Sequence, residues 1–200
     1  MQAVETFTHN GRKVQIFFDE DPPNPCKDYD QLTTLACWHR RANLGNRRIE
    51  GGISASLLVG ELERGGEKVL AILPLYLYQH GGMSMSTGSF SCPFDSGQVG
   101  WGYVTQESAE KMGCVGPTYD KAFFEKAITE DVETYNLYLT GQCYGYVVSG
   151  ADGGELDSCW GFIGDLAYVR EEAKCVALHS VDPAVEREVE ALAKRVTYAG

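Results

Sequence analysis

The chain has 200 residues, 44% of them hydrophobic and 22% charged, which excludes a disordered or collagen-like polypeptide. At this length it buries roughly 70% of its unfolded surface, so one core suffices without disulfide or metal staples, and residues 1–200 read as a single domain. The formal charge of −11 is uneven: residues 69–169 hold only Lys111, Lys121 and Lys126 against twelve acids, a net of −9 that excludes general nucleic-acid binding.

The opening residues lack the apolar core of a signal peptide. The longest apolar run, Val69 to Tyr78, contains Pro74 and has about half the length a bilayer needs. No membrane partner and a cytoplasmic location follow as expectations. Seven cysteines, an odd number without a CxxC pair, point to buried reduced thiols. His9, His39, His80 and His179 are too scattered for a zinc site, so neither a metal nor a cofactor is expected.

In chain order, Val14 to Phe18 predicts a first strand, ended by the Pro22-Pro23-Asn24-Pro25 breaker. Leu32, Leu35, Ala36 and His39 recur at helical spacing and predict a helix from Asp28 or Asp30 to about Leu44, with Gly45 as its C′ residue. Val69 to Gln79 is apolar on both alternating faces, the pattern of a central strand covered on both sides. His80-Gly81-Gly82 predicts a turn, Met83 to Phe90 a returning strand and Gln98 to Thr105 a third, together an antiparallel meander. Helices are predicted over 105–112 and 118–138, a hairpin over Cys143–Val148 and Leu156–Ile163, and a helix from Asp165 to about Cys175. A last helix starts with Asp182 as N-cap and Pro183 at N1. The sum is an α+β fold: a central, mostly antiparallel sheet of about five or six strands flanked by helices.

One arrangement invites an enzyme reading, with Cys92 as nucleophile, His80 as base and Asp95 as orienter. The predicted meander argues against it. With a turn at His80, Cys92 would pair near residue 70, on the order of 30 Å away along the strand. No catalytic residue is therefore assigned. Asp95 and Asp157 each open a Ser-containing turn, and Asx-turn duty explains both. The glycines from Gly97 to Gly102 lie on a predicted strand with no Lys-Ser/Thr and no helix start directly after them, so they form no phosphate-binding loop. Trp38, His39, Arg40, Arg41, Arg47 and Arg48 form a basic cluster whose arginine forks match phosphate geometry. Tyr76, Tyr78, Trp101, Tyr103, Tyr144 and Tyr146 are spaced to line sheet faces, as core or as stacking surface.

Several blocks resemble a family of accessory proteins carried by bacteriophages and other mobile elements. These are Asp30…Cys37-Trp38-His39-Arg40-Arg41…Asn43-Leu44-Gly45, Leu75-Tyr76-Leu77-Tyr78-Gln79-His80-Gly81-Gly82, Phe90-Ser91-Cys92-Pro93-Phe94-Asp95-Ser96-Gly97-Gln98-Val99-Gly100, Glu133-Thr134-Tyr135-Asn136…Tyr138-Leu139-Thr140-Gly141 and Asp157-Ser158-Cys159-Trp160-Gly161-Phe162. Family members often carry an aspartate where this chain has Gln79. The resemblance implies a phage-borne protein acting in the host cytoplasm and transfers no reaction. With the acidic middle, it predicts a non-enzymatic inhibitor that binds a host defence component through a basic surface. The alternatives are a protein that binds or sequesters a nucleotide signal, and a cysteine-dependent hydrolase or transferase. The expected binding residues are His80, Asp95, Ser96, Gln98, Trp101, Asp157, Trp160, Arg40 and Arg41. Assembly into a homo-oligomer is left open.

Overall fold

Alternating apolar residues, glycine turns and side-chain caps divide the chain into nine strands and five helices among residues 2–180, which the computed structural model describes. They are β1 (Ala3–His9), β2 (Arg12–Phe18), α1 (Pro25–Asp28), β3 (Thr34–Cys37), β4 (Arg47–Arg48), α2 (Ala55–Arg64) and β5 (Val69–Gln79). There follow β6 (Met83–Ser86), β7 (Ser96–Thr105), α3 (Gln106–Lys111), α4 (Lys121–Leu139), β8 (Cys143–Ser149), β9 (Glu155–Ile163) and α5 (Leu166–His179). The chain is an α+β protein, as its sequence predicts. Its strands fall into a four-stranded and a five-stranded sheet instead of one central sheet. The predicted helix beginning at Asp182 lies outside the described residues.

Chain contacts group the residues into two units, Pro23–Gly141 and the segments before and after it. The flanking unit holds the antiparallel sheet β1-β2-β8-β9. Asn10 and Gly11 both take positive φ, 50° and 73°, which closes β1 onto β2 in the tight turn that an Asn-Gly pair favours. Val14 and Ile16 of β2, with Tyr144, Tyr146 and Val148 of β8, face Val169, Ala173 and Ala177 of α5. Those three helix positions lie four residues apart and make one buried stripe. Arg170 grips Glu5 through two short bonds, 2.8 and 2.7 Å, and holds that carboxyl below its ordinary range.

The unit Pro23–Gly141 holds the sheet β4-β3-β7-β5-β6, antiparallel except for β3 against β4. As expected, β5 is covered on both sides. Ala71, Leu75 and Leu77 pack with Phe124, Ile128, Val132 and Tyr135 of α4, while Ile72 joins Leu58 and Leu62 of α2 on the opposite face. Helix α2 has its own signal, Ser54 as N-cap followed by Leu58 and Leu62 one turn apart.

Two expectations are corrected here. Residues 28–44 are not a helix: one turn, α1, precedes strand β3, and a loop follows. Helical spacing of Leu32, Leu35 and Ala36 loses to sheet pairing, because β7 presents Gly100 and Gly102 opposite Cys37 and Leu35 and lets β3 close in. The meander is also replaced. Strand β6 ends at Ser86, and the 87–95 loop carries the chain to the other edge of β5, so Tyr78 pairs with Ser84 on one side and Ser96 on the other. The small polar run Ser86-Thr87-Gly88-Ser89 offers nothing to bury and ends the strand early.

Beneath β3, the Asp131 carboxylate of α4 accepts from the Thr33 amide at 3.2 Å. Burial raises its pKa above the ordinary carboxylate value, outweighing the Thr33 bonds that lower it. The folded state therefore holds the Asp131 proton more tightly than the unfolded chain does, so this group's contribution worsens as pH rises through the carboxylate range. Asp131→Asn, which keeps an acceptor for Thr33, should melt above the wild type at pH 7. The gap should narrow as pH falls through that range, and a gap independent of pH would contradict the assignment.

Candidate functional site

Three pieces of chain converge at one end of the five-stranded sheet: the loop after β3, the end of β5 and the start of β7. Leu75 pairs with Gly100 and Tyr76 with Gln98, so Val99 is an extra residue, a bulge. Its carbonyl accepts from the Trp38 amide at 2.7 Å, which fixes where the loop leaves β3. The loop returns at Gly45 and Asn46. The Asn46 side chain accepts from the Leu35 amide at 2.9 Å while its own amide donates to the Leu35 carbonyl, and the Gly45 amide donates to Tyr135 Oη at 3.0 Å.

Within that loop, His39 Nδ1 accepts from the Ala42 amide at 2.9 Å. The ring proton then resides on Nε2, which is left as a donor. Trp38, His39, Arg40, Arg41, Gln79 and Val99 line a hollow of about 370 Å³. A second hollow of about 260 Å³ shares His39, Gln79 and Val99 and adds Leu77, Phe94, Asp95, Ser96 and Gly97. The two make one trough. Arg40 and Arg41 are exposed, and among the described residues their guanidinium groups make no hydrogen bond or ion pair. At the other end, Asp95 Oδ2 lies 3.3 Å from His80 Nδ1 and accepts from the Cys92 thiol at 3.5 Å, whereas Oδ1 has no partner among the described residues. Phe94 is 95% exposed at the rim.

The sequence argument that separates His80 from Cys92 by a strand's length is overturned. Because the 87–95 loop crosses the end of β5, both side chains meet the same Asp95 oxygen. The order of contacts still differs from a nucleophile–base–orienter chain. The imidazole touches the carboxylate and not the sulfur, and the thiol's partner is an acceptor, whereas nucleophilic activation needs a base or a positive setting at the sulfur. Burial pushes the Cys26 and Cys37 thiols up to about 12, so neither supplies a nucleophile near neutral pH.

Of the expected binding residues, Arg40, Arg41, Asp95 and Ser96 line the trough, and His80 reaches it through Asp95. Ser96 Oγ donates to the Cys92 carbonyl at 2.6 Å and shapes the loop. Gln98 donates to the Gly100 carbonyl at 3.2 Å. Trp101 packs among the residues under α2 and donates its indole N–H to the Ile53 carbonyl at 2.9 Å. Tyr103 is buried in the same cluster, its hydroxyl bonded by Arg47 at 2.7 Å, so these rings are core. Asp157 and Trp160 belong to the flanking unit. Asp157 is an exposed residue paired with Val148, and Trp160 stacks on Phe17 over Gly145. Tyr144 and Tyr146 are core there. Sequence reasoning omits Gln79 and Phe94. For Gln79 a signal exists: it continues the Leu75, Leu77 face of β5 with a polar side chain.

The fold and site define an α+β protein with a trough at a sheet end, cationic at one extremity and anionic at the other. No family model, curated protein or solved structure matches the chain. Among the described residues no three His, Cys, Asp or Glu side chains are placed to hold a metal ion, and no helix is long and apolar enough to cross a membrane.

Proposed function

We propose that the protein is a non-enzymatic binding protein for a small anionic ligand with a planar ring, of the nucleotide-signal class. One observation carries this reading: two adjacent arginines without described partners stand beside an indole in one hollow. Guanidinium forks match phosphate oxygens bidentately, the indole offers a stacking face, and His39 Nε2 adds a neutral donor. The hollow's volume falls within the range of small-ligand sites. A thermal-shift screen with nucleoside monophosphates and cyclic nucleotides tests the reading. A ligand at 100 times its dissociation constant stabilises by about 2.7 kcal/mol. The Arg40→Ala/Arg41→Ala double variant should lose at least tenfold in affinity with its own melting temperature unchanged, since both side chains are exposed. Full binding by that variant would sink the assignment.

A second reading rests on the acidic middle of the chain and on the phage-family resemblance: an inhibitor that docks on a basic surface of a host defence component. Glu107, Glu110, Glu130 and Glu133 are exposed on α3 and α4. This reading expects a host protein recovered at low salt and lost at high salt, with the Arg40→Ala/Arg41→Ala variant recovering it equally.

A further inference from the structure

We infer that the trough selects a nucleotide whose base carries an exocyclic amine, with Asp95 as the residue that reads it. The inference rests on the binding reading above and adds the chemistry of the trough's far end. Arg40 and Arg41 mark the phosphate end. Through His39, Gln79 and Val99, shared by both hollows, the same ligand reaches Asp95. His80 and the Cys92 thiol both meet that carboxylate on Oδ2, which leaves Oδ1 as an open acceptor. A carboxylate acceptor rewards a donor and repels a carbonyl oxygen. Cytosine puts an amine where uracil puts an oxygen, and adenine differs from hypoxanthine in the same way. Phe94, exposed at the rim, supplies an apolar face to cover a ring lying over Leu77 and Val99.

The test is a calorimetric titration with cytidine and uridine monophosphates, and with adenosine and inosine monophosphates. The amino member of each pair should bind at least tenfold more tightly. Asp95→Asn offers either a carbonyl or an amide edge, so it should bring each pair to within about twofold. Circular dichroism melting of the variant checks that the 87–95 loop change has not unfolded the unit. Equal affinity within both pairs on the wild type overturns the inference and leaves the binding reading standing. Discrimination that survives Asp95→Asn overturns the role of Asp95. If no nucleotide binds, both fall.

Discussion

Gly100→Ala should lower the stability of the unit Pro23–Gly141 by about 3 kcal/mol, seen as a fall in the urea midpoint with the slope unchanged. Strands β3 and β7 approach so closely that a Cβ at Gly100 would stand 2.2 Å from the Ala36 carbonyl oxygen and 3.0 Å from Cys37 Cα. Both obstacles are backbone, so no side-chain rotation relieves them. The strands must separate, which threatens the Cys37–Gly100 pairing and the bond from the Trp38 amide to the Val99 carbonyl. Each buried amide left without a partner costs about 1–3 kcal/mol. Gly60→Ala is the control. It lies inside α2 with nothing within 4 Å of its added methyl, and alanine should stabilise that helix by up to about 1 kcal/mol. Opposite signs for the same substitution isolate close approach from glycine's chain entropy. A loss under about 1 kcal/mol at Gly100 would mean that the two strands are less tightly paired.

How much of this was legible in the sequence depends on whether the signal is local. Strand β5 announces itself because the ten residues from Val69 to Tyr78 run without a charged or amide side chain on either face, and helices α4 and α5 show stripes that their burial repeats. The Asn10-Gly11 turn is an equally local signal, and it pairs β1 with β2 where the Val14 to Phe18 pattern alone indicates a single strand. Strand β3 could not be read from its own residues. Its four-residue span satisfies a helical period as well as a strand's, and what decides between them is the pair of glycines some sixty positions later. The site shows the same division. Arg40 and Arg41 stand out by charge, but their meeting with Asp95 in one trough depends on β6 stopping at Ser86 and on the crossing of the 87–95 loop. A β6 that ran on to Phe90 would have carried Cys92 and Asp95 away from His80, as the meander requires. Trp101 lies outside the trough for the converse reason: aromatic spacing on a strand does not reveal that α2 covers that face.

Gly45→Ala should cost about 3 kcal/mol and weaken the Arg40–Arg41 end of the trough as well. Gly45 has φ +66°, where an L side chain is strained by roughly 1–2 kcal/mol. A Cβ there would also stand 2.1 Å from the Leu35 carbonyl oxygen, the acceptor that closes the loop through Asn46. Relief requires moving the 45–46 segment off β3, which endangers the Asn46 bonds and the Gly45 bond to Tyr135 Oη. The seven residues between Cys37 and Gly45 would then lose one of their two anchors, and loop closure is what holds the arginines beside Trp38. Tyr135→Phe separates the contributions. It leaves the glycine's conformation and the Leu35 contact intact but orphans the Gly45 amide, so it should cost about 1–3 kcal/mol while the loop stays closed. Measured side by side, Gly45→Ala should lose both stability and phosphate affinity, the latter at least tenfold, whereas Tyr135→Phe should lose stability with affinity changed less than about threefold. If Gly45→Ala binds phosphate like the wild type, the loop's closure on Leu35 is not what presents Arg40 and Arg41, and the cationic end of the trough must be held by the Trp38–Val99 bond alone.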